Sequence, residues 1–138
     1  MSRFDELQEL VLREARKEHS ETVIDLFMNP RNLGPLDGAD GFGKVIGTCG
    51  DTMSIWIKVS GGVIERATFA TDGCGSSIAS ASMVTVLATG KTLEEATSIG
   101  QNDVLSALGG LPPESEHCAK LACLTIRAAV HDHMERIR

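Results

Sequence analysis

No cluster of lysine and arginine occurs in this sequence: its 13 basic residues are outnumbered by 19 acidic ones, for a formal net charge of −6 and an isoelectric point near 5.1. Nucleic acids and anionic membranes are bound through basic patches, so neither is expected as a partner. Also missing is any apolar run approaching the roughly 18 residues that span a bilayer. The stretch from Met1 to Lys17 is charged and amphipathic, unlike a signal peptide, and the expected location is the cytoplasm. Thiols stay reduced there, which excludes a disulfide framework as the first reading of Cys49, Cys74, Cys118 and Cys123 and leaves metal binding or thiol reactivity. Internal repeats, low-complexity tracts and a second domain are absent too. With 42% apolar residues, the chain 1–138 is expected to form one domain around a real core, about 1–20 being a helical N-terminal extension.

What is present reads as helices, then strands, then helices. Phe4, Leu7, Val11 and Ala15 recur at helical spacing, and Ser2 with Asp5 resembles a capping box. Ser20 is placed to cap a second helix that stops at Asn29-Pro30, because the residue before proline disfavours helical backbone. A loop is expected as far as Phe42. The β-branched segments Lys44 to Thr48, Thr52 to Val59 and Val63 to Thr71 predict three strands, with Ser60-Gly61-Gly62 closing a hairpin. In the second strand Met53, Ile55, Ile57 and Val59 alternate with polar neighbours, so one face of the sheet is apolar. Ile78, Ala79, Met83, Val86 and Leu87 mark a helix after Cys74-Gly75, with Met83, Val86 and Leu87 as core. Thr92 to Glu95 is a capping box, Asn102 to Leu108 another helical piece, and Leu121, Leu124, Ala128 and Ile137 a final helix from about Glu116. The expected fold class is α+β: a small three-stranded antiparallel sheet covered on one face by helices, with N-terminal helices and a long C-terminal helix.

Three cysteines fall at element ends, where loops bring side chains to one edge of a fold: Cys49-Gly50-Asp51 between strands, Gly73-Cys74-Gly75-Ser76 before a helix, and His117-Cys118 at the start of the last helix. At helix N-termini the free N–H groups and the macrodipole are expected to lower the thiol pKa of Cys74 and Cys118 and so favour thiolate, both metal ligand and nucleophile. Asp51 and His117 bring the candidates to five for a four-coordinate centre. Thiolate-rich sites select zinc or iron-sulfur chemistry. No Cys-x-x-Cys pair is present, and spacing alone leaves a metal site and inert cysteines both open.

The motifs Cys-Gly-Asp at Cys49 to Asp51, Gly-Cys-Gly-Ser at Gly73 to Ser76, His-Cys-x-x-Leu-Ala at His117 to Ala122 and Asn-Pro-Arg-Asn-Leu-Gly at Asn29 to Gly34 resemble the iron-sulfur cluster assembly scaffold family, the IscU type also found as the N-terminal domain of NifU. The resemblance runs from about Thr22 to the C-terminus. It implies the SufE/IscU-like fold and a scaffold rather than a turnover enzyme. Such a scaffold takes sulfur from a cysteine desulfurase, assembles a 2Fe-2S cluster with iron, and passes it to apo iron-sulfur acceptor proteins. It further implies ferredoxin and a frataxin-like protein as partners, zinc as a metal of the resting form, and a monomer or cluster-bridged homo-oligomer. Carried onto this sequence, the ligand set is Cys49, Asp51, Cys74, His117 and Cys118, with Cys118 as persulfide acceptor. Asp51, a hard carboxylate near iron, would serve cluster release. No insertion separates Cys74 from Cys118 and His117 is present, which matches the uninserted branch of the family.

Two features depart from the family pattern. Where the family often carries Leu-Pro-Pro-Val-Lys for an Hsp70-type chaperone, this chain has Leu111-Pro112-Pro113-Glu114-Ser115, which reverses the charge and puts chaperone-assisted release in doubt. Cys123 lies five residues beyond Cys118, about 140° around a helix, and is read as core or spare. His19, His131 and His133 are expected to be solvated or to face a helix C-terminus. Lys120, within a turn of Cys118, is a candidate for stabilising a thiolate. Without the resemblance, Asp51 reads as a turn residue or Asx-type cap. The alternatives from other classes are a zinc-stabilised interaction module and a thiol sulfurtransferase or redox protein.

Overall fold

The computed structural model describes residues 3–138, so Ser2 of the expected capping box lies outside the described residues. Helix α1 (Arg3–Glu18) leads to α2 (Glu21–Met28), whose N-terminal cap is Ser20: its hydroxyl accepts from the N–H of Val23 at 3.1 Å. Strands β1 (Gly41–Ile46), β2 (Thr52–Ser60) and β3 (Val63–Thr71) form an antiparallel sheet in the order β1-β2-β3. Helices α3 (Gly75–Ala88), α4 (Leu93–Thr97) and α5 (Gln101–Leu108), a 3-10 turn at Pro113–Ser115, and α6 (Glu116–Arg136) complete the described chain. No helix among the described residues is long and apolar enough to cross a membrane.

The hairpin from β2 to β3 turns through Gly61 and Gly62 at φ +58 and +77, the pair of positive values that a two-residue turn matching strand twist requires. Met53, Ile55 and Ile57 are fully buried on one face, and Ile55 and Ile57 pair across the ladder with Phe69 and Ala67. Helices α3 and α6 cover that face. The other face carries polar Ser54 and Lys58 and the tilted ring pair Phe42 and Trp56, with centroids 5.1 Å apart. The α+β architecture follows from this one-sided pattern.

Several expectations are corrected. Strand β1 begins at Gly41, not Lys44, because two glycines open it against α6: a Cβ on Gly41 would stand 2.5 Å from the Ala129 carbonyl oxygen, and one on Gly43 2.5 Å from the Ala129 nitrogen. Turn-rich composition there marks close packing, not a loop. The buried face of α3 is made of Ser76, Ser77, Ala79, Ser80, Ala81, Ser82, Val84, Thr85 and Ala88, while Met83 and Leu87 are half-buried and Val86 is exposed. Small side chains let the helix approach β3 and α6 closely, and some of their hydroxyls bond within the fold: Ser82 Oγ accepts from the Arg31 N–H at 2.8 Å and donates to the Arg31 carbonyl at 3.0 Å. In α6 Leu121 is buried but Leu124 is exposed, and Ile137, also exposed, lies past the helix as its C-cap; Ala119, Ala122, Ile126, Ala129 and Val130 face the core instead. His133 is buried, its Nδ1 3.1 Å from the Asp40 carbonyl oxygen, so it joins α6 to the start of β1 rather than facing water. His19 is half-buried, and only His131 is exposed as expected, 3.9 Å from Glu135.

Candidate metal centre

Three segments meet at one edge of the sheet. The β1–β2 loop is closed by the Gly47 N–H donating to the Asp51 carbonyl at 2.7 Å, with Gly50 at φ +86, and this turn presents Cys49 to solvent. The turn from β3 into α3 is held by the Thr71 hydroxyl, which donates to the Thr52 carbonyl at 2.8 Å and accepts from the Gly73 N–H at 3.1 Å. It places Cys74 as the N-cap of α3. The first turn of α6 carries His117 and Cys118, and the Gln101 side chain donates to the Glu116 carbonyl at 3.0 Å, anchoring that turn to α5.

Four of the five predicted residues come together there as a chain of neighbours, and the fifth, Cys74, faces Ser77 beside them. Cys49 Sγ lies 3.2 Å from His117 Nε2, which lies 3.8 Å from Cys118 Sγ. Cys118 Sγ is 3.4 Å from the Ser77 hydroxyl, which donates to Asp51 Oδ2 at 2.9 Å. Asp51 is therefore more than a turn residue: its carboxylate turns inward across the site. Gly73 is obligatory to this approach, since a Cβ there would meet Ser77 Oγ at 2.5 Å and Asp51 Oδ2 at 2.7 Å. Among the described residues no group of three or more His, Cys, Asp or Glu side chains stands already arranged around a common metal position. The donors are adjacent but held by one another.

The two helix-start thiols differ. Partial burial pushes the Cys74 thiol up, but it faces the N–H groups of Ser77 and Ser76 and the Ser77 hydroxyl, and these together hold it below the ordinary value. At Cys118 the expectation fails. The side chain is 1% exposed, burial pushes its thiol up, the Ser77 hydroxyl counters only in part, and Cys74 and Asp51 nearby push it further up. Helix position alone does not decide acidity when the side chain points into the core. Lys120 is exposed and is not among these influences. Cys123 is buried in the core with its thiol raised by burial, as its helical offset implied.

Sequence reasoning missed Ser77. The available signal was its position three residues after Cys74, on the same face of α3. Also unforeseen is a mostly apolar cleft of about 280 Å³ beside Cys74, between the end of α1, α2 and the Pro112–Ser115 turn, lined by His19, Val23, Phe27 and Pro112.

The family described as NifU-like N terminal domain matches residues 18–138. The chain belongs to that family. Among NifU-like relatives, the iron-sulfur cluster assembly scaffold protein IscU of Escherichia coli (strain K12) is 46% identical over 123 residues, covering 86% of this chain and 95% of its own. Iron-sulfur cluster assembly scaffold protein IscU 1 of Archaeoglobus fulgidus is 46% identical over 119 residues, covering 86% of this chain and 78% of its own. A nitrogen-fixing NifU-like protein (N-terminal) from Brucella abortus shares the fold with a TM-score of 0.67 at 17% identity, covering 85% of this chain and 94% of that one. The NifU-like match begins at the end of α1.

Proposed function

We propose that this protein is a scaffold on which an iron-sulfur cluster is built and from which it is handed on. The observation that carries the reading is the convergence of Cys49, Asp51, His117 and Cys118 on one edge, linked side chain to side chain with Ser77 between Cys118 and Asp51, and Cys74 facing Ser77 beside them. Three thiols with one imidazole and one carboxylate suit iron-sulfur or zinc chemistry. The mixed set also suits transfer, because oxygen and nitrogen donors exchange on iron more readily than thiolates, which fits Asp51 as the point of release. The cargo is a 2Fe-2S cluster made from iron and desulfurase-derived sulfur, with apo-proteins as acceptors. The chain acts as carrier and turns over no substrate of its own.

Cys118 is the proposed persulfide acceptor, and its burial adds a requirement: the first turn of α6 or the Cys49 loop must open before a donor reaches it. Cys74, exposed beside the apolar cleft, is already open to an approaching partner, as is Cys49. Anaerobic reconstitution with iron, cysteine and a desulfurase tests the reading. The expected product has the absorption and Mössbauer spectra of a 2Fe-2S centre, and intact mass before iron is added rises by one sulfur, about 32 Da, in wild type but not in Cys118→Ser. Firmly held zinc that iron cannot replace points instead to a zinc-stabilised module, and turnover of a persulfide or disulfide substrate without iron to a thiol enzyme.

A further inference from the structure

Ser77 is fully buried, yet its hydroxyl stands between Asp51 Oδ2 at 2.9 Å and Cys118 Sγ at 3.4 Å. A hydroxyl has one proton to give. The shorter, charge-assisted bond to the carboxylate takes it, so toward Cys118 the oxygen is left as acceptor and the thiol S–H donates to it. The result is a directed chain, from Cys118 S–H to Ser77 O–H to the Asp51 carboxylate, that ties the first turn of α6 to the β1–β2 loop through α3.

We propose that Ser77 is a positioning residue, a clasp that holds Asp51 and Cys118 together in the metal-free protein and keeps the Cys118 thiol covered. The clasp opens when Asp51 leaves the hydroxyl, and the loop that carries Asp51 also carries Cys49, so movement of that loop uncovers Cys118. The geometry gives one reason why the five donors are adjacent without being arranged around a common position: Ser77 stands among them, bonded to Asp51 and Cys118 and facing Cys74. The role in cluster building rests on the functional reading above, but the clasp itself is a property of the metal-free chain and is tested there.

The test is site-resolved alkylation of reduced, metal-free protein with iodoacetamide, read by peptide mass spectrometry in wild type, Ser77→Ala, Asp51→Ala and Asp51→Asn. Cys123, equally buried but outside the clasp, reports general loosening. Ser77→Ala is expected to speed Cys118 labelling about fivefold, the scale of one lost hydrogen bond, with Cys123 unchanged. Each rate is taken as a full pH profile, so that a higher plateau reports uncovering and a shift of the profile alone reports acidity and overturns the clasp. Both changes at Asp51 remove its charge, but the amide keeps a carbonyl oxygen for the hydroxyl. Asp51→Ala should therefore label Cys118 about fivefold faster than Asp51→Asn, and this pair decides the matter even if Ser77→Ala does not fold. Equal rates for the two Asp51 variants overturn the clasp, as does a rise of Cys118 and Cys123 together. Because no metal is present, these outcomes stand apart from success or failure of cluster reconstitution.

Discussion

Cys74 and Cys118 carry the same group into opposite surroundings, one at the mouth of an apolar cleft with helix-end N–H groups before it, the other sealed under the first turn of α6. Both positions were legible from sequence as helix starts. Burial was not, because it depends on which way α6 faces, and that is decided by Ala119, Ala122 and Ile126 packing on the sheet rather than by the His-Cys pair itself. The thiol shifts have consequences for stability. Cys118 and Cys123 have thiols raised in the folded protein, so the stability they contribute is complete below the ordinary thiol range and is lost as pH rises through their folded values. Cys74 has the opposite sign, adding stability at high pH that is lost as pH falls through its lowered value. Two buried thiols against one exposed one predict a net loss of stability above about pH 9. Cys123→Ala, outside the candidate metal centre, should reduce that loss. Urea midpoints at pH 7 and pH 10 check it, and an unchanged difference between the two pH values in the variant refutes it.

At the level of elements, α1 and β1 show where local pattern and tertiary structure part. The periodicity of α1 is real, but Phe4, Leu7, Leu10 and Val11 are 73, 58, 53 and 63% exposed and no described residue of the helix is buried. An amphipathic pattern predicts a helix; it does not supply the surface that covers it. Deleting residues 1–17 should accordingly change the unfolding free energy by less than about 1 kcal/mol, the range of surface changes, with the midpoint read by circular dichroism. A loss of several kcal/mol would show that α1 belongs to the cooperative core. The reverse failure occurs at β1, where Gly41 and Gly43 look like loop residues locally and are strand residues because the α6 backbone lies against them. Their role could be read only by knowing which helix crosses the sheet. The hairpin at Gly61-Gly62, the Ser20 cap and the Thr92 capping box were legible because each is settled within four residues.

Over the whole molecule, the candidate metal centre joins segments that the chain separates widely: the β1–β2 loop, the start of α3 and the start of α6. The sequence motifs named these residues, but the hydroxyl between them and the closed state of the site came from packing, which no motif spacing encodes. A metal held by Cys49, Cys74 and Cys118 with Asp51 or His117 would bridge all three segments and replace the hydrogen bonds through Ser77 with stronger links. Because only the folded chain assembles this donor set, binding must stabilise it by mass action, about 2.7 kcal/mol at a free metal concentration one hundred times the dissociation constant. For a domain of this size that corresponds to a rise in melting temperature of roughly 10 °C. Hydrogen exchange should slow in the β1–β2 loop, the β3–α3 turn and the first turn of α6, with little change at the far end of α6 near His133, where the core is closed already. Anaerobic thermal melts with zinc and with ferrous iron measure the first effect, and exchange mass spectrometry the second. In Cys74→Ser, which removes one bridge, the melting shift should fall by more than half; a shift that survives intact, or exchange that slows uniformly along the chain, would place the bound metal elsewhere.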